Sequence, residues 1–546
     1  MSANVGQRAQ FLREYLSIEA KDLDEDLSIA LTSLITTAVH DDEPKHDLNS
    51  IVEAVKKSGT ATDLEPLTVI PIVVRSIDNG ADALMDVMAA ECSAKEVVMA
   101  VEEVVETIDR RLQSTDEEEE EDDDTRHASS SRQLERLIRT YTTSIPRLVQ
   151  WKKSPKQAVE SRLTELQSLI TLVGGDATAE EGRSIIISIA QLVFALSQGA
   201  DADTKDLMRS LVESTLVTFP NHIHGNLART AFIANFRRLI IPQAEPGTSS
   251  QEDVMDTAWV ALQSIGVTTA SCENTPSLAS LILLAHTSSY SFSALRISAF
   301  FPVLVSCFQS SICLDEILAI LMNYLAPLRS VTPRPELEVD LIIPLIHLLP
   351  PLASNHPDPD IRHYTFRVLS LVLGLSPSPV RFQLLKDLLE DEDTPPQMRT
   401  AAVGLLKEAV MEGLSADAQS AFASPLLLST FGPIVLRPDP PDILVTATCE
   451  DFLDGPEPLR LVECLGFFFV WLQRDRNNRT GVRDGTSLEN MRRSLLDPLE
   501  AGLIRWKKDL TSDVSSGEHD HDGALRLDVL DMWVGRIRSA MDAVQV

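Results

Sequence analysis

Cysteine is scarce in this sequence. Six residues, Cys92, Cys272, Cys307, Cys313, Cys449 and Cys464, are spread over 546 positions with no CxxC pair, which argues against a disulfide framework and points to a reduced, intracellular compartment. Aromatic residues make up only 5% of the chain, and alternating apolar and polar runs are rare, so a sheet protein is not expected. Basic residues are outnumbered, 48 against 81 acidic ones, for a net charge of −33. Affinity for phosphate backbones rests on clustered Lys and Arg, so nucleic acid is a poor partner and a basic protein surface a better one. Long apolar runs are missing too. The longest, 185–196 and 464–472, are too short to span a bilayer and read as buried helices. The opening residues, MSANVGQRAQFLREYLSIEAKDLDED, hold no apolar core of the signal-peptide type. The expectation is a soluble, monomeric chain of the cytoplasm, with the nucleus also open to it, and no membrane partner.

Catalytic signatures are equally thin. Gly174-Gly175 lacks the Lys-Ser/Thr of a phosphate loop, and there is no GxSxG, no HExxH and no GxGxxG after a strand, so no catalytic or cofactor-binding residue is assigned and no enzyme is expected. His222 and His224 stand two apart with no Cys or carboxylate at ligand spacing, and GEHDHDG at 517–523 reads as a weak adventitious cation site, so no metal is expected. Asn478-Arg479-Thr480 matches the glycosylation triplet and reads as unused without a secretory signal. Cys307 and Cys313 could meet only if their segment bends, and small buried core residues are the preferred reading over a redox pair.

What is present is a helical periodicity. Ile361, Tyr364, Thr365, Val368, Leu369, Val372 and Leu373 mark the buried stripe of an amphipathic helix. Each recurs 37 places later, as Met398, Ala401, Ala402, Leu405, Leu406, Ala409 and Val410, with Pro359 and Arg362 matched by Pro396 and Arg399. Between them lie a break at 374–379, a second apolar helix at 380–389 and an acidic loop at 390–393. A helical hairpin of this kind exposes apolar surface on both flanks and needs neighbours on either side, as in HEAT and armadillo arrays. Weaker copies are expected at 294–307, in a frame running through Ala294, Leu295, Arg296, Ser298, Ala299, Val303 and Cys307 with a kink at Pro302, and at 227–236. Arg362 and Arg399 are expected to bond nearby carbonyls or acids such as Asp358, Asp360 or Asp391 to Asp393. The fold class that follows is all-α, an α-solenoid of HEAT/armadillo-like hairpins.

Taken in order, helices are expected at 10–18, 27–39, 48–57, 67–76, 81–90 and 94–112, forming an N-terminal segment 1–112. Residues 113–132 hold nine consecutive acids, Asp116 to Asp124, and read as a disordered linker, either a solvated loop or, as function, a mimic of nucleic acid or bait for a basic partner. Central repeats follow over 133–430, with a break at 174–182, helices at 185–196, 206–217, 255–265, 278–285, 314–328 and 337–349, and a loop at 242–251. The C-terminal segment 431–546 is expected to open with a Pro-rich turn at 431–441. Helices then follow at 459–472, 491–506 and 525–544, separated by polar loops at 474–487 and 512–523.

Over 360–410, and more loosely from 294, the runs IRHYTFRVL, LLKDLLEDEDTPPQMRTAAVGLLKEAV and ALRISAFFPVL resemble the family that groups glomulin, the plant aberrant-lateral-root protein and the fungal YAP-binding proteins. The resemblance implies a non-catalytic helical-repeat protein. Glomulin docks its C-terminal repeats on the RING-box subunit of cullin ubiquitin ligases and blocks the E2 surface; yeast members bind an AP-1-like, basic-leucine-zipper transcription factor in the peroxide response. An adaptor or inhibitor that occludes such a partner is therefore expected, with the partner surface sought on the C-terminal repeats at Arg437, Arg474, Arg476, Arg479, Trp506 and Lys507. An importin-like scaffold is the alternative, although Trp151, Trp259, Trp471, Trp506 and Trp533 do not form the periodic ladder that such a receptor uses.

Overall fold

The computed structural model describes residues 10–12, 15–16, 27–41, 43–113, 127–149, 155–223, 226–236, 254–287, 290–416, 420–512 and 520–545. Among these there are helices and turns but no strand. The acidic run Asp116 to Asp124, the loop at 242–251, His224, Trp151 and residues 517–519 of GEHDHDG lie outside the described residues.

Two compact units form, one from Met1–Asn226 and Ile241–Tyr290, the other from Leu227–Ile240 and Ser291–Val546. In chain order the first unit supplies α1 (Leu27–His40), α2 (Leu48–Ser58), α3 (Pro66–Val73), α4 (Gly80–Glu91), α5 (Ala94–Gln113), α6 (Ser130–Val149), α7 (Pro155–Val173), α8 (Ala179–Leu196) and α9 (Ala202–Thr218). Helix α10 (Leu227–Asn235) belongs to the second unit, and α11 (Val254–Ser264), α12 (Thr269–Asn274) and α13 (Leu278–Ala285) return to the first. From α1 to α9 each helix packs on the next but one. One layer runs α1, α3, α5, α7, α9, α13 and the other α2, α4, α6, α8, α11. That two-layer order is what a stack of helical hairpins produces, since each hairpin buries its flanks only against its neighbours.

Local chemistry starts these helices where the stack needs them. Thr178 accepts from the Glu181 backbone N–H while Glu181 accepts from the Thr178 N–H, a capping box that opens α8 at Ala179. The break expected at 174–182 is therefore shorter than its glycines suggest. Gly182 is needed for a different reason: a Cβ there would lie 2.9 Å from the ring of His222.

The second unit continues with α14 (Ala294–Ser310), α15 (Leu314–Leu328), α16 (Val339–Asn355), α17 (Pro359–Leu375), α18 (Ser378–Glu390), α19 (Pro396–Ser415), α20 (Pro425–Val435), α21 (Ile443–Thr446), α22 (Cys449–Asp454), α23 (Glu457–Arg474), α24 (Gly485–Met491), α25 (Asp497–Ser512) and α26 (Asp520–Gln545). Helix α10 packs on α15 and α17, with its first backbone N–H groups, on Leu227 and Ala228, donating to the Asp315 carboxylate at 2.7 and 2.9 Å. Helices α17 and α19 are the 37-residue repeat, each beginning at its proline. Twelve of the fourteen stripe positions are buried; Ile361 and Ala401 are half-buried.

Several expectations change. The frame proposed at 294–307 is out of register: Ile297, Phe300, Leu304, Cys307 and Phe308 face inward, while Leu295 is 75% exposed. Pro302 lies on the exposed face, and α14 runs through it to Ser310. Helix α16 likewise continues past Leu349 through Pro350 and Pro351 to Asn355. Half of the turn expected at 431–441 is the end of α20, which buries Phe431 and Val435 and carries Pro433 on its outer face. The helix expected from 491 starts at Gly485 and passes through one π-helical turn, Arg492–Leu496, into α25. Arg362 donates to the carbonyls of His356 and Pro357 at 2.6 and 3.0 Å, but Arg399 pairs with Asp439 at 3.0 Å rather than with the loop acids before its own helix.

Candidate protein-binding surface

The start of α23 is built around a buried ion pair. Glu457 is 2% and Arg460 9% exposed. Arg460 Nε and Nη2 donate to the two Glu457 oxygens at 2.6 and 2.8 Å, Nη2 also reaches the Arg437 carbonyl at 2.7 Å, and Glu457 Oε1 accepts the Asp439 N–H at 3.0 Å. Burial pushes the Glu457 carboxyl up, and the Arg460 hydrogen bond opposes that push. The pair ties the connection after α20 to α23. Near the start of α26, Arg526 donates to the Leu453 carbonyl at 3.2 Å and pairs with Asp522 at 2.8 Å.

These fastenings leave a groove. Helix α26 turns Leu527, Leu530, Val534 and Ile537 into the core, at i, i+3, i+7 and i+10, which leaves Leu525 on the outer side at 62% exposure. Leu459, in the first turn of α23, is also 62% exposed. Between them a cavity of about 670 Å³ is lined by Leu459, Val462, Leu525, Val529, Pro456 and Thr400 among others. Its walls are mostly aliphatic, with Asp454 and Arg526 at the margin. The sequence signal for it was two leucines standing off the buried stripes of their own helices.

None of the six residues singled out in the sequence lines this groove. Arg437, Arg474 and Arg476 are exposed. Arg479 turns its guanidinium back onto the Leu414 and Ala416 carbonyls at 3.5 and 3.3 Å. Arg474, Arg476 and Arg479 lie at the end of α23 and in the loop that follows it, a loop ordered by buried Asp475, which accepts from the Arg479 and Thr480 backbone N–H groups and from the Thr480 hydroxyl. Trp506 is fully buried, stacked on Phe452 at 4.1 Å and donating to the Ala447 carbonyl at 3.3 Å, so it is a core residue and not a contact for a partner. Lys507 sits 2.8 Å from both Asp528 and Asp531, and those hydrogen bonds outweigh desolvation to raise its pKa.

The other candidate chemistry is absorbed by the fold. His222 Nε2 lies 3.2 Å from the Ala177 carbonyl and its ring meets Phe219 edge-on, and no cluster of three possible ligands occurs among the described residues. Asn478 holds Asp484 through its amide nitrogen at 2.6 Å, and the Thr480 hydroxyl is buried against Asp475, so both ends of the glycosylation triplet are engaged. Burial pushes the Cys307 thiol up to about 11 and the Cys313 thiol higher, which keeps both protonated. No described helix is long and apolar enough to cross a membrane.

The architecture of both units is that of an α-solenoid. Within it, residues 281–532 match the model of the family described as "Uncharacterised protein family, YAP/Alf4/glomulin", the resemblance that the repeat residues carry. No protein of curated function matches the chain. Among solved structures it is similar to the karyopherin Kap121p bound to the extreme C-terminus of the protein phosphatase Cdc14p, at 12% identity and a TM-score of 0.25, over 100% of this chain and 57% of that one. Kap121p alone gives 14% identity and a TM-score of 0.23 over 97% and 49%. The chain thus spans about half the length of the karyopherin.

Proposed function

We propose that this chain is a non-enzymatic adaptor or inhibitor whose C-terminal unit occludes the working face of a protein partner, the RING-box subunit of a cullin ubiquitin ligase being the first candidate. The observation that carries this reading is the aliphatic groove between α19, α23 and α26, with Leu459 and Leu525 each 62% exposed inside the stretch that matches the glomulin family. A buried apolar centre with a polar rim is the anatomy from which stable interfaces draw most of their energy. The net charge of −33 favours a partner whose facing surface is basic.

The test is a titration of the purified full-length chain against a purified cullin–RING-box complex, by calorimetry and in a ubiquitin-transfer assay. Saturable binding with loss of transfer, both abolished by Leu459→Asp with Leu525→Asp, supports the reading. Absence of binding overturns it. Groove-dependent binding to an AP-1-like basic-leucine-zipper factor instead would move the function to the stress response, and binding to basic transport signals would favour the importin-like alternative.

A further inference from the structure

Away from the groove, α14 and α16 pack side by side in the second unit, with α15 and α17 behind them. Each is 17 residues long and carries one charged residue, Arg296 and Asp340, close to its start. Beyond those, 297–310 and 341–355 hold no charged residue, and His347 is the only base among them. The outer sides of amphipathic helices are normally where charge collects. Helix α5 shows the norm for this chain, with eight charged residues in 20.

What these two helices show to solvent is apolar. Leu295, Ala299 and Pro302 stand exposed on α14 at i, i+4 and i+7, and Val339, Ile343 and Pro351 on α16 at i, i+4 and i+12. Because the helices are neighbours, the two stripes form one face. Arg334, Glu336 and Glu338 precede α16 and with Asp340 border the face at that end. Contiguous exposed apolar surface on a soluble chain marks a place that another surface covers.

We infer that two copies of this chain associate through this face, each laying its α14 and α16 on the other's. Net charge decides the occupant. At −33 the chain repels its own copy wherever acids face each other, so close approach is least opposed where neither copy offers a charge. A basic partner, which the same net charge favours elsewhere, finds no acid on this face beyond its edge. A two-fold contact asks only that one patch fit itself, and an uncharged patch sets no like charges opposite one another. Size sets the strength: two neighbouring 17-residue helices cover about 25 Å by about 20 Å, roughly 500 Å² per copy, at the low end of specific interfaces. The dimer is therefore weak and exchanging, with a dissociation constant on the order of 10 μM, and the monomer expected from the sequence is the species at lower concentration.

Sedimentation velocity and light scattering on the full-length chain, from about 1 to about 100 μM and over a range of salt, test this. Reversible dimers are expected. Salt screens the repulsion between two chains of like charge and leaves apolar contact intact, so the dimer should tighten by about threefold or more between about 0.05 and about 0.5 M salt. Ala299→Glu and Ile343→Lys, one substitution of each sign so that a change in net charge cannot account for both, should each weaken it by about tenfold or more. Both positions are exposed, so the unfolding midpoint of each variant should match that of the wild-type chain. Leu459→Asp should leave dimerisation unchanged, which separates this face from the groove. A chain that stays monomeric at the highest concentration and salt, a dimer that weakens as salt rises, or a dimer untouched by both face variants overturns the inference.

Discussion

Arg460 shows why the same ion pair can be worth little or much. Lys507, 35% exposed between Asp528 and Asp531, sits in the regime where a pair contributes about 1 kcal/mol or less. Arg460 and Glu457 are both buried, so removing one partner strands a charge in the interior. Arg460→Met is therefore expected to cost about 3–5 kcal/mol, and adding Glu457→Leu to recover part of it. Urea denaturation of the two variants beside the wild-type chain checks this. A double variant no more stable than the single would show that the loss lies in the Arg437 and Ile434 carbonyl contacts of Arg460 rather than in the stranded carboxylate. Trp506 illustrates how a residue is misread. Beside Arg505, Lys507 and Lys508 it resembles a surface anchor, yet Leu496, Leu499, Leu503 and Trp506 fall at i, i+3, i+7 and i+10, and all four are buried. The periodicity held the answer; the flanking charges obscured it.

At the scale of elements, the 37-residue repeat makes a paired expectation. Leu369 on α17 and Leu406 on α19 occupy matched positions and are both fully buried. Leu369→Ala and Leu406→Ala should each cost about 2–5 kcal/mol, whereas Glu408→Ala, exposed on α19, should stay within about 0.5 kcal/mol. Thermal unfolding of the three variants decides it. Glu412 adds a pH dependence. Burial pushes its carboxyl up, but the Arg381 hydrogen bond and the charges of Arg381, Arg334 and Arg329 together hold it below its ordinary value of 4.5. Its folded pKa is thus lower than its unfolded one, so its stabilisation is complete above about pH 4.5 and is lost as pH falls through the lower folded value. Glu412→Gln should flatten the acid limb of the stability profile and leave its slope at neutral pH untouched.

The elements themselves were largely legible, because helix stripes and prolines at helix starts are local signals: 314–328 and 278–285 are reproduced to the residue in α15 and α13. What was not legible is long-range. Arg399 meets Asp439 forty residues on, Glu412 gathers arginines from the segment after α15 and from α18, and the groove exists only because α19, α23 and α26 meet. Proline misled in the other direction. Pro302 and Pro433 sit on outer faces of helices that packing holds together, against the local cost of a missing N–H.

For the whole molecule, charge and groove divide the work of binding between two rate constants. A net charge of −33 attracts a basic partner over distances comparable to the Debye length, about 10 Å at 0.1 M salt and about 3 Å at 1 M. Long-range attraction acts on the encounter, so association should slow by roughly tenfold or more between low and high salt. The groove acts after contact. In the proposed complex Leu459 and Leu525 would desolvate against the partner, and that energy is nearly independent of salt, so the dissociation rate should change little over the same range. Leu459→Asp reverses the pattern: it adds one charge to 33, leaving association almost unaltered, and puts a carboxylate where a leucine was to be buried, which should speed dissociation by at least about tenfold. Stopped-flow association and chase-dissociation measurements at several salt concentrations, on wild type and variant, give both constants. A dissociation rate that rises with salt as steeply as association falls would mean that charge, not the groove, holds the complex together.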